Sequence, residues 1–114
     1  MSSDILFRDD DAHMARGWLS HVYSHFESAC DHYMRYNKFE HAVTSLDFCL
    51  DMYERYMYHM ANLGLPIPPE QVETIQTTKA LREENAKRQK KKEDDESLER
   101  IKQYFKEYPL SFGI

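Results

Sequence analysis

The chain has 114 residues, of which 41% are hydrophobic and 13% aromatic, and it carries a net charge of −5. That length suits one small domain with a single modest core, and the acidic balance supplies no global attraction to nucleic acid or to an acidic membrane. Three glycines and four mostly clustered prolines argue against a turn-rich all-β protein, and no apolar run approaches the ~18 residues of a membrane span.

Residues 1–11 are expected to form a flexible leader, with Ile5, Leu6 and Phe7 available to dock on the body. Asp9, Asp10 or Asp11 suits the cap of the first helix, where a carboxylate accepts from free first-turn amides and complements the helix dipole. This acidic start is unlike a secretory or mitochondrial leader. Cys30 and Cys49 have no CxxC spacing, so the expected setting is intracellular and reducing, cytoplasmic with a nuclear alternative.

The core domain is expected over residues 12–81. Ala15, Trp18, Leu19, Val22, Phe26, Ala29, Cys30 and Tyr33 recur at steps of three and four, which predicts a helix over 12–36. After a polar turn, Tyr36-Asn37-Lys38, the same periodicity returns in Phe39, Ala42, Val43, Leu46, Cys49, Leu50, Tyr53, Met57 and Met60, predicting a helix over 38–62. The two stripes can bury against each other as an antiparallel hairpin. Gly17 costs roughly 1 kcal/mol inside the first helix, which close packing near Trp18 would offset. Gly64 is a natural C-cap, and Pro66, Pro68 and Pro69 cannot continue a helix, so Leu65 and Ile67 mark an ordered strap.

A third helix is expected from Pro69 or Glu70, with Val72, Ile75 and Leu81 as its apolar edge. Residues 82–97 are almost wholly polar, a charged helix or linker supported by pairs such as Glu83–Lys87 and Glu84–Arg88. Residues 98–114 restore an amphipathic pattern through Leu98, Ile101, Tyr104, Phe105 and Tyr108, followed by Leu110, Phe112 and Ile114. Glu93-Asp94-Asp95-Glu96-Ser97 can cap a separate fourth helix, so one long helix and two shorter ones both fit. The fold class is all-α: a hairpin, a long charged third helix and a C-terminal amphipathic helix, in a three- or four-helix bundle.

Phe26, Ala29, Cys30, Tyr33, Phe39, Ala42, Leu46 and Cys49 occupy spacings of a tetratricopeptide repeat, and the hairpin over 15–60 resembles that repeat or the hairpin of MIT (microtubule-interacting and trafficking) domains. The match covers about 30 residues. A second repeat would start at Met60, Leu63, Gly64 and Ile67, where the prolines break its helix. The upstream extension of the first helix suits a three-helix MIT-like arrangement better. What the resemblance implies is architectural: a tight helical hairpin.

No catalytic constellation is present: there is no GxSxG, no glycine-rich phosphate loop, and Asp47/Asp51 fall on an exposed helix face. His21 and His25 stand four apart, but Val22-Tyr23-Ser24 between them lacks the Glu of a zinc-hydrolase motif, so neither a metal nor a cofactor is expected. The basic run Lys87, Arg88, Lys90, Lys91 and Lys92 can contact nucleic acid, but Glu93-Asp94-Asp95-Glu96 follows at once and would repel phosphate. A second stripe on helix two, Phe48, Met52, Tyr56 and His59, makes that helix apolar on two sides, and a helix of that kind is sandwiched. The expected function is therefore that of a non-enzymatic adaptor or assembly subunit. It would bind another protein through a helix, or form a homo-oligomer, using Phe48, Met52, Tyr56, His59, Leu98, Ile101, Phe105 and Tyr108. A nucleic-acid-associated regulatory factor acting through the basic run is the alternative.

Overall fold

The computed structural model describes residues 3–109, with side chains from Asp10 onward, so the expected docking of Ile5, Leu6 and Phe7 and the surface of Leu110, Phe112 and Ile114 fall outside the described residues. Within them the chain is all-α. Helix α1 (Ser3–Ser28) widens into a π-helical segment (Ala29–Met34), and helices α2 (Phe39–Asn62) and α3 (Pro69–Glu107) follow, with no strand among the described residues. None of these helices is long and apolar enough to cross a membrane.

The backbone of α1 is already helical at Ser3, so the leader expected over 1–11 is largely part of the first helix. Asp10 and Asp11 lie inside it and do not cap it. Asp11 is used laterally instead: its carboxylate accepts from His59 Nδ1 at 2.7 Å and from Asn62 Nδ2 at 3.2 Å, joining α1 to the end of α2. The His59 hydrogen bond, then that of Asn62, holds the Asp11 carboxyl below the usual carboxylate range.

Both connections close by the same backbone device. At the first, Lys38 N–H bonds Tyr33 C=O at 2.8 Å and Asn37 N–H bonds Met34 C=O at 3.2 Å. At the second, Leu65 N–H bonds Met60 C=O and Gly64 N–H bonds Ala61 C=O, each at 3.0 Å. This Schellman pairing needs a left-handed residue, supplied by Asn37 (φ 59) and Gly64 (φ 68).

Helices α1 and α2 touch from Asp11–His59 at one end, through Cys49, whose thiol donates to Val22 C=O at 3.5 Å, to the Tyr33–His41 ring contact beside the turn. Ala15, Val22, Cys49, Tyr53 and Tyr56 form the core cluster, with Trp18, Leu19, Phe26, Met52, Met57, Met60, Ile67 and Ile75 packed on it. Nearer the turn the buried residues are small, Ala29 and Ala42 with Leu46, so the backbones can approach closely. Burial pushes the Cys49 thiol up to about 11, which keeps it protonated and inert as a small apolar residue.

The first turns of α3 lie on α2. Gln71 joins all three helices: its Oε1 accepts from Tyr53 at 3.1 Å, and its Nε2 donates to Tyr23 at 2.6 Å. Farther along, Arg82 reaches Asp47 at 2.9 Å, and Asn85 donates to Met34 Sδ at 3.0 Å and to Leu81 C=O at 2.8 Å. Helix α3 then continues unbroken. No Gly or Pro occurs between Glu70 and Tyr108. Spaced pairs, Glu83–Lys87, Glu84–Arg88, Gln89–Glu93, Glu99–Lys102 and Gln103–Glu107, support its polar stretch. Ser97 caps nothing, since it sits mid-helix and accepts from Arg100. Residues 70–107 therefore form one helix, not two. The molecule is 91 Å long and only 25 and 22 Å across, with a radius of gyration of 22.3 Å. A compact domain of this length would have about 13 Å, and the excess is α3 running past the rest of the chain.

Gly17 departs from the expectation of close packing. A methyl group built on it meets nothing within 4 Å, so no neighbouring helix requires the glycine. Gly17→Ala is accordingly expected to stabilise the fold by roughly 1 kcal/mol through helix propensity, measured as a higher urea midpoint. A lower midpoint would mean that this face is occupied in solution.

Candidate interaction surface

The structure divides the eight candidate partner-binding residues into two groups, and the groups do not meet. The stripe on α2 is mostly consumed by the fold. Tyr56 is 3% exposed and belongs to the core cluster, and Met52 packs against that cluster. His59 is turned onto Asp11. Only Phe48, 49% exposed, remains open, with one edge against His25. The second apolar side of α2 exists because α1 and α3 lie on either side of it. It therefore offers no continuous surface to a partner, contrary to the sequence expectation.

The C-terminal stripe is the reverse case. Every residue from Lys90 to Pro109 is exposed. Leu98 and Ile101 are each 50% exposed, Phe105 44% and Tyr108 62%. An isolated helix of this length is near the limit of stability in water, and apolar side chains lining it without cover are costly to keep apart from each other or from a partner. Tyr104 adds to the patch, its ring 5.8 Å from that of Phe105 and 5.2 Å from that of Tyr108.

The direction of the stripe matters as much as its exposure. Thr78, Arg82, Asn85 and Gln89 mark the side of α3 turned to the rest of the chain; the first three are buried or half-buried there. At 100° per residue, Leu98, Ile101, Phe105 and Tyr108 lie roughly 150° round the helix from that side. The stripe is not an extension of the intramolecular packing face. It looks outward and cannot reach α2 without breaking α3.

The basic run is differently placed. Lys87 is paired with Glu83 and Arg88 with Glu84. Lys92 lines a recess of about 290 Å³ together with Lys38, His41, Glu40, Glu93 and Glu96, where carboxylates match the cations. Lys91 and Lys92 line a neighbouring recess with Phe39, Arg88, Asp95 and Glu96. Lys90 is exposed. The run thus lies as a collar where α3 leaves the body, with Glu93, Asp95 and Glu96 beside its lysines.

Among the described residues, no group of three or more His, Cys, Asp or Glu side chains could hold a metal ion. His21 stacks beside Trp18 and His25 beside Phe48, so the two imidazoles are engaged with different rings. Two features had no sequence signal. One is the Gln71 bridge, because a polar residue in a first turn is unremarkable by pattern. The other is a shallow trough of about 230 Å³ over Gly17, bordered by His13, Met14, Trp18 and His21. The indole N–H of Trp18 finds no acceptor among the described residues, and the Arg55 guanidinium lies 4.7 Å from its ring centre.

In comparison with known proteins, the chain matches no family model, no curated protein and no solved structure.

Proposed function

We propose that this chain is a non-enzymatic protein–protein interaction module, an adaptor or assembly subunit acting in a reducing intracellular compartment. In this reading an antiparallel hairpin with a third helix laid along it, an MIT-like or tetratricopeptide-like layout, serves as the scaffold. The working surface is the free end of α3. The observation that carries the reading is the outward stripe of Leu98, Ile101, Phe105 and Tyr108 on a helix that nothing else in the described chain covers. Binding would bury these side chains against an apolar face of the partner, with aromatic residues as the anchors. The basic collar is a solvated surface in this reading, and its carboxylate partners weigh against the nucleic-acid alternative.

Quantitative affinity capture tests it. Paired Leu98→Asp and Phe105→Asp substitutions are expected to abolish specific protein capture, and Lys90, Lys91 and Lys92 changed to Gln to leave it intact. The opposite pattern, accompanied by salt-sensitive binding to DNA or RNA that the Gln changes remove, would establish the nucleic-acid function instead.

A further inference from the structure

We infer that the occupant of the outward stripe is the same stripe of a second copy, the two α3 ends pairing antiparallel about a two-fold axis near Gln103. This rests on the interaction reading above and names its partner. Three observations lead to it, the first being the spacing. Leu98, Ile101, Phe105 and Tyr108 are separated by three, four and three residues, a pattern that maps onto itself when the helix is reversed. Leu98 of one copy then meets Tyr108 of the other, and Ile101 meets Phe105. Every layer places an aliphatic side chain opposite an aromatic ring, and each contact occurs twice, as a closed two-fold interface requires.

The second observation is area. The four stripe residues and Tyr104 are each between 44% and 62% exposed. For side chains of this size, that is on the order of 500–600 Å² per copy, or about 1,000–1,200 Å² for a pair, at the lower edge of specific interfaces. An interface of that size fits a weak, reversible dimer, and a Kd on the order of 10–100 µM is the value the measurement below is set to detect.

The third is charge and clearance, which decide the orientation. A parallel pair in register would set Lys90–Lys92 against Lys90–Lys92 and Glu93–Glu96 against Glu93–Glu96. The antiparallel pair keeps these blocks at opposite ends, beyond the helix end of the other copy. Gln89 is the last α3 residue that is not fully exposed. The recesses that the body shares with α3 end at Glu96, on the side of the helix away from the stripe, so the body stops just short of the paired segment. On one flank Tyr104 faces its own counterpart across the axis. On the other, Lys102 faces Lys102, partly compensated by Glu99 at 3.6 Å within its own helix. That like-charge contact limits the affinity and supplies a diagnostic.

Sedimentation equilibrium of the whole chain from about 1 to 500 µM, a range spanning the expected Kd, measures the association. Ile101→Asp is expected to weaken it more than about thirtyfold, the loss carried by a hot-spot side chain. Its thermal melt should stay unchanged, because Ile101 touches no part of the body. Lys102→Glu is expected to self-associate no better than the unaltered chain, yet a mixture of the two should form mixed dimers above the statistical share, because Glu then meets Lys across the axis. The proposal is overturned by a chain that stays monomeric throughout, by dimers indifferent to Ile101→Asp, or by mixing without preference, which would place Lys102 off the axis. A monomeric chain whose stripe still captures another protein would refute self-pairing and leave the interaction reading standing. A stripe that does neither would refute both.

Discussion

Leu46→Asp is expected to unfold the chain. Leu46 is fully buried and stands in α2 one turn past Ala42, which is also fully buried. Removing its side chain alone would cost about 2–5 kcal/mol in a site that relaxes poorly, and the carboxylate would add several kcal/mol of uncompensated desolvation. A domain of this size has about 5–15 kcal/mol in total, and at the low end of that range one substitution is sufficient. The measurement is far-ultraviolet circular dichroism with a thermal melt. The expected result is loss of the cooperative transition, whereas Leu46→Met should keep it with a shift of less than about 1.5 kcal/mol. Native-like melting of the Asp variant would mean that Leu46 is not enclosed by the α1–α2 contact.

The reason this substitution can be chosen at all is that the α1–α2 contact is written in periodicity. Ala15, Val22, Ala29, Ala42, Leu46, Cys49 and Tyr53 recur at helical steps, and all are buried. Burial of apolar side chains is additive and local in pattern, so it survives translation into sequence. Both helix ends were readable for a similar reason, since Gly64 and the Tyr36-Asn37-Lys38 turn carry residues that tolerate a left-handed backbone.

What failed to show in the sequence depends on three-dimensional direction. Phe48, Met52, Tyr56 and His59 fall on one stripe of α2, but spacing along a helix cannot say which neighbours will lie beside it. Tyr56 joins Ala15, Val22 and Tyr53 in the core and His59 turns onto Asp11, neighbours that the pattern of α2 alone does not name. A cap at Asp9, Asp10 or Asp11 follows from a local preference for Asp, whereas the lateral hydrogen bond between Asp11 and a residue 48 positions away leaves no local trace. The choice between one helix and two turned on Asp94, Asp95 and Ser97, which serve as caps only if the chain turns. With strong helix formers on both sides and spaced ion pairs, it does not turn. The consequence is exposure, because a break near Ser97 would have allowed Leu98, Ile101 and Phe105 to fold back, and the continuous helix carries them outward instead.

Truncation after Asp95 is the sharper test of that outward segment, and it is expected to separate folding from association completely. All residues beyond the cut are exposed wherever they are described. Glu96 borders the recesses at the collar, but among the described residues no side chain past it is in the core or hydrogen-bonded to α1 or α2. The contacts that hold α3 to the body all precede the cut: Gln71 with Tyr23 and Tyr53, Arg82 with Asp47, and Asn85 with Met34. The shortened chain should therefore keep its unfolding free energy, read from the urea transition, to within about 0.5 kcal/mol, the usual size of changes away from buried features. Its sedimentation should be that of a monomer at every concentration, and stripe-dependent protein capture should be lost. The expected pairing of results is an unchanged unfolding free energy with abolished association. If the shortened chain loses its cooperative transition, the end of α3 contributes to the core and is not a free docking surface. If it folds and still associates, the interface lies elsewhere, and the open trough over Gly17, beside Met14 and Trp18, becomes the surface to mutate next.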